Sequence, residues 1–150
     1  MKSWWPTVAA AVLLIILCGL PFQEHETARL LPMKTVQVEL TADGVHLVSE
    51  IGEGSGANWN AAVQNLRANA PGEVFFDTAE QLILCDRAVT IVPEILEDGT
   101  LRPAAQVYRA DALQEPEGLN DYLAAHESAL TLGALRAYIA EDASYQIPQT

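Results

Sequence analysis

The chain has 150 residues, of which 50% are hydrophobic and 19% are charged, and its formal net charge is −12 at pH 7. This length corresponds to about one domain, and the composition is typical of a chain that folds. The acidic balance argues against nucleic acid as a partner, because phosphate binding requires clustered lysine and arginine side chains. It argues equally against an anionic membrane surface as a docking face.

An uncharged segment runs from Ser3 to Phe22 near the start of the chain. Such a segment is long enough to cross a hydrocarbon core of about 30 Å as a helix, so residues 1–22 are predicted to be a membrane helix or a signal segment. Lys2 precedes it and favours a cytoplasmic N-terminus, which places the rest of the chain outside the cytoplasm. The end of the segment lacks the small residues of a signal peptidase site, which favours an uncleaved anchor.

Cys18 offers a second way of anchoring the chain. A bacterial lipoprotein is cut before a lipid-modified cysteine, and Cys18 comes after an aliphatic run and precedes Gly19. Leu17, however, stands where such sites usually have Gly, Ala or Ser. Lipidation of Cys18 and an ordinary cysteine inside a transmembrane helix therefore both stay open.

The remaining chain is predicted to form one small α+β domain. Residues 23–32 are polar and typical of a juxtamembrane linker, residues 33–142 form the domain, and residues 143–150 form a tail. We expect a mixed β-sheet, built from a β-hairpin and a βαβ-like crossover, with helices packed against it.

The hairpin is predicted from alternation of apolar and polar side chains. This alternation covers residues 33–40 and again residues 45–51, as in half-buried strands. Asp43 and Gly44 lie between the two segments and supply a turn.

The crossover and the closing helices are predicted further along the chain. A helix with Asn58 as its N-cap covers residues 58–69, and the apolar run Leu82–Cys85 is typical of a central strand covered on both faces. Pro93 favours either a kink or a fresh helix start with proline in its first turn. A short strand near residues 103–108 and two helices near residues 118–127 and 130–140 are then expected.

A glycine-rich loop is predicted between the hairpin and the first helix, where it reads Gly52-Glu53-Gly54-Ser55-Gly56. Such loops can cradle phosphates, but this one lacks the P-loop lysine, and Glu53 brings a negative charge to the position that a phosphate would fill. The alternative is a structural role, in which glycines permit positive φ and a close strand-to-helix connection. Gly52, Glu53 and Gly54 are also our candidate interaction turn.

Other reactive residues are not arranged for chemistry. His126, Glu127 and Ser128 are adjacent, but neighbours on a helix do not face one another, so termination of the helix is the better interpretation. The acids are scattered without the spacing of a calcium loop, and Cys85 is expected to be a small buried hydrophobe. We therefore expect no enzymatic activity, no cofactor and no metal site.

A series of motifs occurs in fixed order between residue 18 and about residue 113. The series is a cysteine, a charged segment, two strands, a Gly-Glu-Gly turn, a helix, a proline before an aromatic strand, and an apolar strand before a helix and a short returning strand. These motifs are Cys18, Gln23-Glu24-His25-Glu26, Met33 to Leu40, Val45 to Ile51, Gly52-Glu53-Gly54, Ala61 to Leu66, Pro71, Phe75-Phe76, Gln81 to Cys85, Val92 to Leu96 and Ala105 to Tyr108. In this order the chain resembles the N-terminal domain of the Ger(x)C family, the C-subunit lipoproteins of spore nutrient germinant receptors.

The resemblance implies a membrane-anchored, non-enzymatic subunit or accessory module in spore germination. It implies protein–protein contacts with integral membrane germinant-receptor subunits, on the outer face of the spore inner membrane. The alternative is an extracytoplasmic small-ligand-binding lipoprotein unrelated to germination, which would use the glycine-rich loop and Trp59.

Overall fold

A computed structural model of the chain describes residues 30–141 and 146–150. The predicted membrane segment 1–22, Cys18 and residues 23–29 of the predicted linker lie outside the described residues. Within the described ranges, every helix is too short or too polar to cross a membrane.

The described residues form a small α+β domain with seven strands and four α-helices. The strands are β1 (Leu30–Pro32), β2 (Thr35–Thr41), β3 (Gly44–Ser49), β4 (Glu53–Gly56), β5 (Glu73–Phe75), β6 (Gln81–Cys85) and β7 (Gln106–Ala110). The helices are α1 (Trp59–Asn69), α2 (Val92–Asp98), α3 (Leu119–Ala125) and α4 (Leu132–Ala140). Two 3-10 helices cover Phe76–Thr78 and Asp86–Ile91.

A five-stranded mixed sheet has the strand order β4-β3-β2-β6-β7. The neighbours β4, β3 and β2 are antiparallel, whereas β2, β6 and β7 are parallel. Strands β1 and β5 form a separate parallel pair. The mixed sheet expected from the sequence is confirmed, and the last three residues of the predicted linker belong to a strand of the domain.

The predicted β-hairpin is confirmed as β2 and β3. Val38 lies opposite Leu47 in the register, and Thr41 lies opposite Gly44 at the turn. Gly44 has φ 131°, a conformation that favours glycine, and its carbonyl accepts a hydrogen bond of 3.0 Å from the Thr41 hydroxyl.

The crossover is present, but its first strand differs from the one expected. Strand β4 is antiparallel to β3, β3 is antiparallel to β2, and β2 is parallel to β6, so β4 runs parallel to β6. Helix α1 connects β4 to β6 across β3 and β2. All five residues of β6 are buried, as predicted for a central strand. A second crossover joins β6 to β7 through α2, which begins at Val92 with Pro93 in its first turn.

The two faces of the sheet are covered unequally. Helices α1, α2 and α4 contribute to a large apolar core on the first face, which holds Trp59, Leu66 and Ile95 among others. On the second face, α3 covers the parallel strands through a small cluster of six buried residues. That cluster is Ile83, Cys85, Tyr108, Ala110, Leu119 and Leu123.

The outer edge of β7 is closed by two segments of the chain itself. Val107 donates its backbone N–H to the Leu130 carbonyl at 2.8 Å. Further along, the Arg109 N–H donates to the Pro148 carbonyl at 2.8 Å, and Thr150 donates to the Arg109 carbonyl at 2.9 Å. The last residues of the chain therefore continue the sheet beyond β7.

The glycine-rich segment is an edge strand, so the prediction of a loop is wrong for residues 53–56. Gly54 lies opposite Leu47 on the first face, directly under α1. A Cβ atom at Gly54 would lie 2.5 Å from the Ala62 carbonyl oxygen, whereas the φ of Gly54 is not positive. Close packing between strand and helix, and not a left-handed backbone, requires glycine here.

We expect Gly54→Val to lower the free energy of unfolding by about 2–3 kcal/mol, because α1 must move away from the sheet to admit the new side chain. Ser55→Val is the matched control, since Ser55 is exposed on the opposite face of the same strand, and it should change stability by less than about 0.5 kcal/mol. Urea unfolding followed by circular dichroism measures both. Equal stability of Gly54→Val and the parent would show that α1 does not rest on this strand.

Candidate functional site

The structure separates the three residues of the candidate interaction turn. Gly54 is buried beneath α1, Gly52 is half-buried, and Glu53 is exposed. Gly54 therefore cannot touch a partner, and the side chain available from this turn is that of Glu53. The possible lipidation site Cys18 lies outside the described residues.

Glu53 belongs to a polar surface on the second face of the sheet, which we call the β4 patch and define as Glu39, His46, Glu53 and Ser55. Register pairing places His46 opposite Glu39 on one side and opposite Ser55 on the other, so these side chains share a face. The His46 Nε2 and Glu53 Oε2 atoms are 3.4 Å apart, and 69% of the Glu53 side chain is exposed. The β4 patch thus offers two carboxylates and one imidazole to solvent or to a partner.

Trp59 is not accessible to a ligand at the surface, although the alternative hypothesis of a small-ligand-binding lipoprotein requires such contact. Its exposed fraction is 0%, and its Nε1 atom donates a hydrogen bond of 3.1 Å to Asp98 of α2. Its backbone N–H donates to Glu94, also in α2, at 2.8 Å. Trp59 therefore joins α1 to α2.

The adjacent residues His126, Glu127 and Ser128 are not assembled for catalysis. The His126 Nδ1 atom lies 2.8 Å from the Tyr122 carbonyl, and the two rings stack with centroids 4.4 Å apart. Ser128 is buried, and its hydroxyl donates to the Val107 carbonyl at 3.0 Å. These contacts end α3 and attach the next segment to β7.

Cys85 lies in the small cluster on the second face and has an exposed fraction of 0%. Burial, with a smaller contribution from Glu39, raises the pKa of its thiol from 9.0 to about 11. A thiol with such a pKa is protonated near neutrality and unreactive. Among residues 30–141 and 146–150, no group of three or more His, Cys, Asp or Glu side chains could hold a metal ion.

A polar cleft on the second face is the site that sequence reasoning missed. It has a volume of about 290 Å³ and lies between the start of β2, the end of β3 and the first turn of α3. We call it the β2–α3 cleft. Its lining residues are Pro32, Lys34, Thr35, Gln37, Ser49, Glu50, Pro116 and Asn120.

Buried polar side chains concentrate at this cleft. Of the five buried polar residues in the described chain, Thr35, Gln37 and Ser49 line the cleft, and Gln81 is bonded to one of them. The Thr35 hydroxyl donates to Gln81 Oε1 at 2.7 Å. Buried polar groups on a sheet face are uncommon unless they are paired, so this concentration marks the cleft as different from the apolar core.

The Gln37 side chain on β2 is hydrogen-bonded to the loop before α3. Its Nε2 atom donates to the Gln114 carbonyl at 2.7 Å, and its Oε1 atom accepts from the Gln114 N–H at 2.8 Å. The Gln114 side chain in turn donates to the Thr150 hydroxyl at 2.8 Å. The loop before α3 is therefore held at a fixed distance above β2.

Two further residues that line the cleft are Glu50 and Asn120. The Glu50 carboxylate accepts hydrogen bonds from the backbone N–H groups of Lys34 and Thr35, the latter at 3.2 Å. The Asn120 Oδ1 atom is buried and has no hydrogen-bond partner among the described residues. Because this oxygen is closed off from solvent, its missing hydrogen bond is a cost of about 1–3 kcal/mol to the fold and is not offered to a ligand in the cleft.

Comparisons with known proteins show no match: no family model, no curated protein and no solved structure matches the chain. The resemblance to the Ger(x)C family therefore stays a prediction that rests on the order of its motifs.

The thiol of Cys85 provides a test of the buried cluster. We expect it to resist a thiol reagent at pH 8 in the folded chain and to react fully in denaturant, measured in a Cys18→Ala background. Because the folded state keeps the proton between about pH 9 and 11 whereas the unfolded state releases it, the free energy of unfolding should fall across this window. The further change Cys85→Ala should remove that part of the pH dependence, and rapid labelling of the folded chain would contradict the burial.

Proposed function

We propose that the chain is a membrane-anchored, non-enzymatic docking module whose domain lies outside the cytoplasm and contacts integral membrane proteins. The observation that carries this proposal is the position of β1. The folded domain begins at Leu30, where β1 pairs in parallel with β5. The apolar segment that would anchor the chain ends at Phe22 in the sequence.

The tether between anchor and domain is consequently short. Residues 23–29 lie between them, and seven residues reach at most about 25 Å even when fully extended. A domain on such a tether stays next to the bilayer, where its concentration relative to other membrane proteins is high. This arrangement suits a module that acts on a neighbour in the same membrane.

Charge favours a protein partner over the lipid surface. From Gln23 onward the sequence holds 20 acidic and 7 basic residues, and anionic headgroups repel such a domain. The β4 patch presents Glu39 and Glu53 on the second face of the sheet. We propose that this patch receives a basic extracytoplasmic segment of an integral membrane protein.

The setting in germination rests on the resemblance to the Ger(x)C family. In that setting the partners are germinant-receptor subunits, and the domain acts on the outer face of the spore inner membrane. Its test is genetic: deletion of the gene should slow nutrient germination of spores, and copurification from solubilised spore membranes should recover multispanning receptor subunits. Normal germination together with recovery as a lone monomer in mild detergent would overturn it.

The topology is tested by a fusion of residues 1–30 to a reporter that is active only outside the cytoplasm. We expect activity, because Lys2 favours a cytoplasmic N-terminus and the apolar segment exports the residues after it. An inactive reporter that is retained in the cytoplasm would overturn the proposed anchor. Uptake of labelled fatty acid that disappears in Cys18→Ala would identify a lipoprotein, whereas no uptake by the parent would identify the helix itself as the anchor.

Docking through the β4 patch predicts a loss of association without a loss of stability. Glu53→Gln should reduce cross-linking of the full chain to membrane proteins in native membranes by about two- to fivefold, since one charge pair contributes up to about 1 kcal/mol at an exposed site. Glu73→Gln, an identical change at an exposed position on β5, is the control and should leave cross-linking unchanged. Both variants should melt at the parent's temperature. Equal cross-linking by both variants would exclude Glu53 from the docking surface.

A further inference from the structure

We propose that residues 146–150 are a releasable strap on the edge of β7, and that their detachment lets α3 open locally while the rest of the domain stays folded. We call these residues the β7 strap. The inference does not depend on docking through the β4 patch, because that patch lies on strands β2 to β4 and the strap lies beyond β7. It rests on how the strap is attached, on the cavity beside it, and on how α3 is held.

The backbone of the β7 strap is paired with the sheet at Arg109. The Arg109 N–H donates to the Pro148 carbonyl at 2.8 Å, and the Thr150 N–H donates to the Arg109 carbonyl at 2.9 Å. This pairing is a single parallel bridge, with Gln149 opposite Arg109, and not a full strand ladder. The strap therefore closes the edge of β7 through a small number of hydrogen bonds.

Two side chains of the strap reach the loop before α3. The Gln149 Nε2 atom donates to Asp111 Oδ1 at 3.1 Å. The Thr150 hydroxyl accepts from Gln114 Nε2 at 2.8 Å, and the Gln114 backbone is hydrogen-bonded to the Gln37 side chain on β2. Detachment of the strap removes the first two attachments, so that the loop is then held to the sheet through Gln37.

A cavity of about 620 Å³ lies between the strap and α4. Its lining residues are Ala129, Leu130, Tyr138, Gln146, Ile147, Pro148 and Gln149. The Ile147 side chain packs against the core of the first face but is half-buried. A segment with few buried apolar contacts opens at a lower free energy than the core strands. Detachment of the strap should therefore be easier than unfolding of the domain.

Helix α3 packs separately from the core of the first face. The six buried residues beneath it form a cluster of their own, to which the helix contributes Leu119 and Leu123. The helix has seven residues, and a helix of that length depends on its packing contacts for stability. It can therefore lift from the sheet without disturbing the larger core.

The two ends of α3 are held in different ways. At the C-terminal end, the Tyr108 hydroxyl oxygen lies 3.3 Å from the Leu123 and His126 carbonyl oxygens. The same oxygen accepts from the Ser128 N–H at 3.0 Å. The N-terminal end follows the loop that the strap attaches to β7. Release of the strap should therefore free the N-terminal end first, while the C-terminal end stays at Tyr108.

Cys85 can report on this opening. It lies opposite Ala110, which is between the strap's attachment residues Arg109 and Asp111. Its side chain belongs to the cluster under α3 and has an exposed fraction of 0%. Lifting of the loop and of the start of α3 should therefore expose this thiol.

The test is the rate at which a thiol reagent labels Cys85 in the full Cys18→Ala chain in detergent, at urea concentrations below the unfolding transition. Local opening exposes little surface, so its labelling rate is nearly independent of urea, whereas labelling through global unfolding rises steeply with urea. Deletion of residues 146–150 should raise the urea-independent rate at least about tenfold, because all the strap's hydrogen bonds are lost. Gln149→Leu combined with Thr150→Val should raise it at least about threefold, and this variant keeps Ile147 in place.

Gln146→Leu is the matched control, because Gln146 is exposed in the same segment and takes no part in the four hydrogen bonds described for the strap. It should be labelled at the parent's rate. Amide hydrogen exchange should become faster in Leu119–Ala125 in both strap variants and stay unchanged in Trp59–Asn69. The proposal would be overturned by an unchanged labelling rate in the double variant, by labelling that follows global unfolding at every urea concentration, or by equally faster exchange in both helices.

Discussion

The fold depends on the close contact between helix α1 and the edge strand β4. Gly54 and Gly56 face the helix, and a Cβ atom on either would lie about 2.5 Å from helix backbone atoms. Because no side chain intervenes, α1 lies low enough to bury Trp59 completely. Trp59 then fixes α2 through its hydrogen bonds to Glu94 and Asp98. The positions of α1 and α2 thus depend on the absence of side chains at Gly54 and Gly56 in one short strand.

The second face of the sheet is covered by fewer helical residues than the first face. Helix α3 has seven residues and packs on the parallel strands through Leu119 and Leu123, which leaves the start of β2 to be covered by the loop before the helix. A loop carries backbone polar groups that must be satisfied, and Gln37 satisfies two of them at Gln114. The polar lining of the β2–α3 cleft is a direct result of covering a sheet with a loop in place of an apolar helix.

Local patterns in the sequence predicted the hairpin, helix α1 and the central strand β6, because alternation, capping and apolar runs act over a few residues. They did not predict that residues 53–56 form a strand, since glycine disfavours strands and the pairing depends on β3 and on the helix above. They also missed the cleft. Thr35 and Gln37 occupy the polar side of an alternating strand, and nothing near them in the sequence indicates that residues 77 positions away will bury Gln37.

The edges of the sheet restrict how a partner can bind. At β7, the segment near Leu130 and the final residues near Thr150 already occupy the outward backbone groups, and at β4 the outward N–H of Ser55 donates to the Asn65 side chain at 3.1 Å. Adding a strand from another protein would require breaking these hydrogen bonds. The new hydrogen bonds would only compensate for those that are lost, so the net gain in free energy would be small. A partner therefore gains more by contacting a face than by extending the sheet. Glu39 and Glu53 lie on antiparallel strands of the second face, outside the cover of α3. Docking at the proposed β4 patch is therefore expected to be electrostatic and to weaken as salt is added.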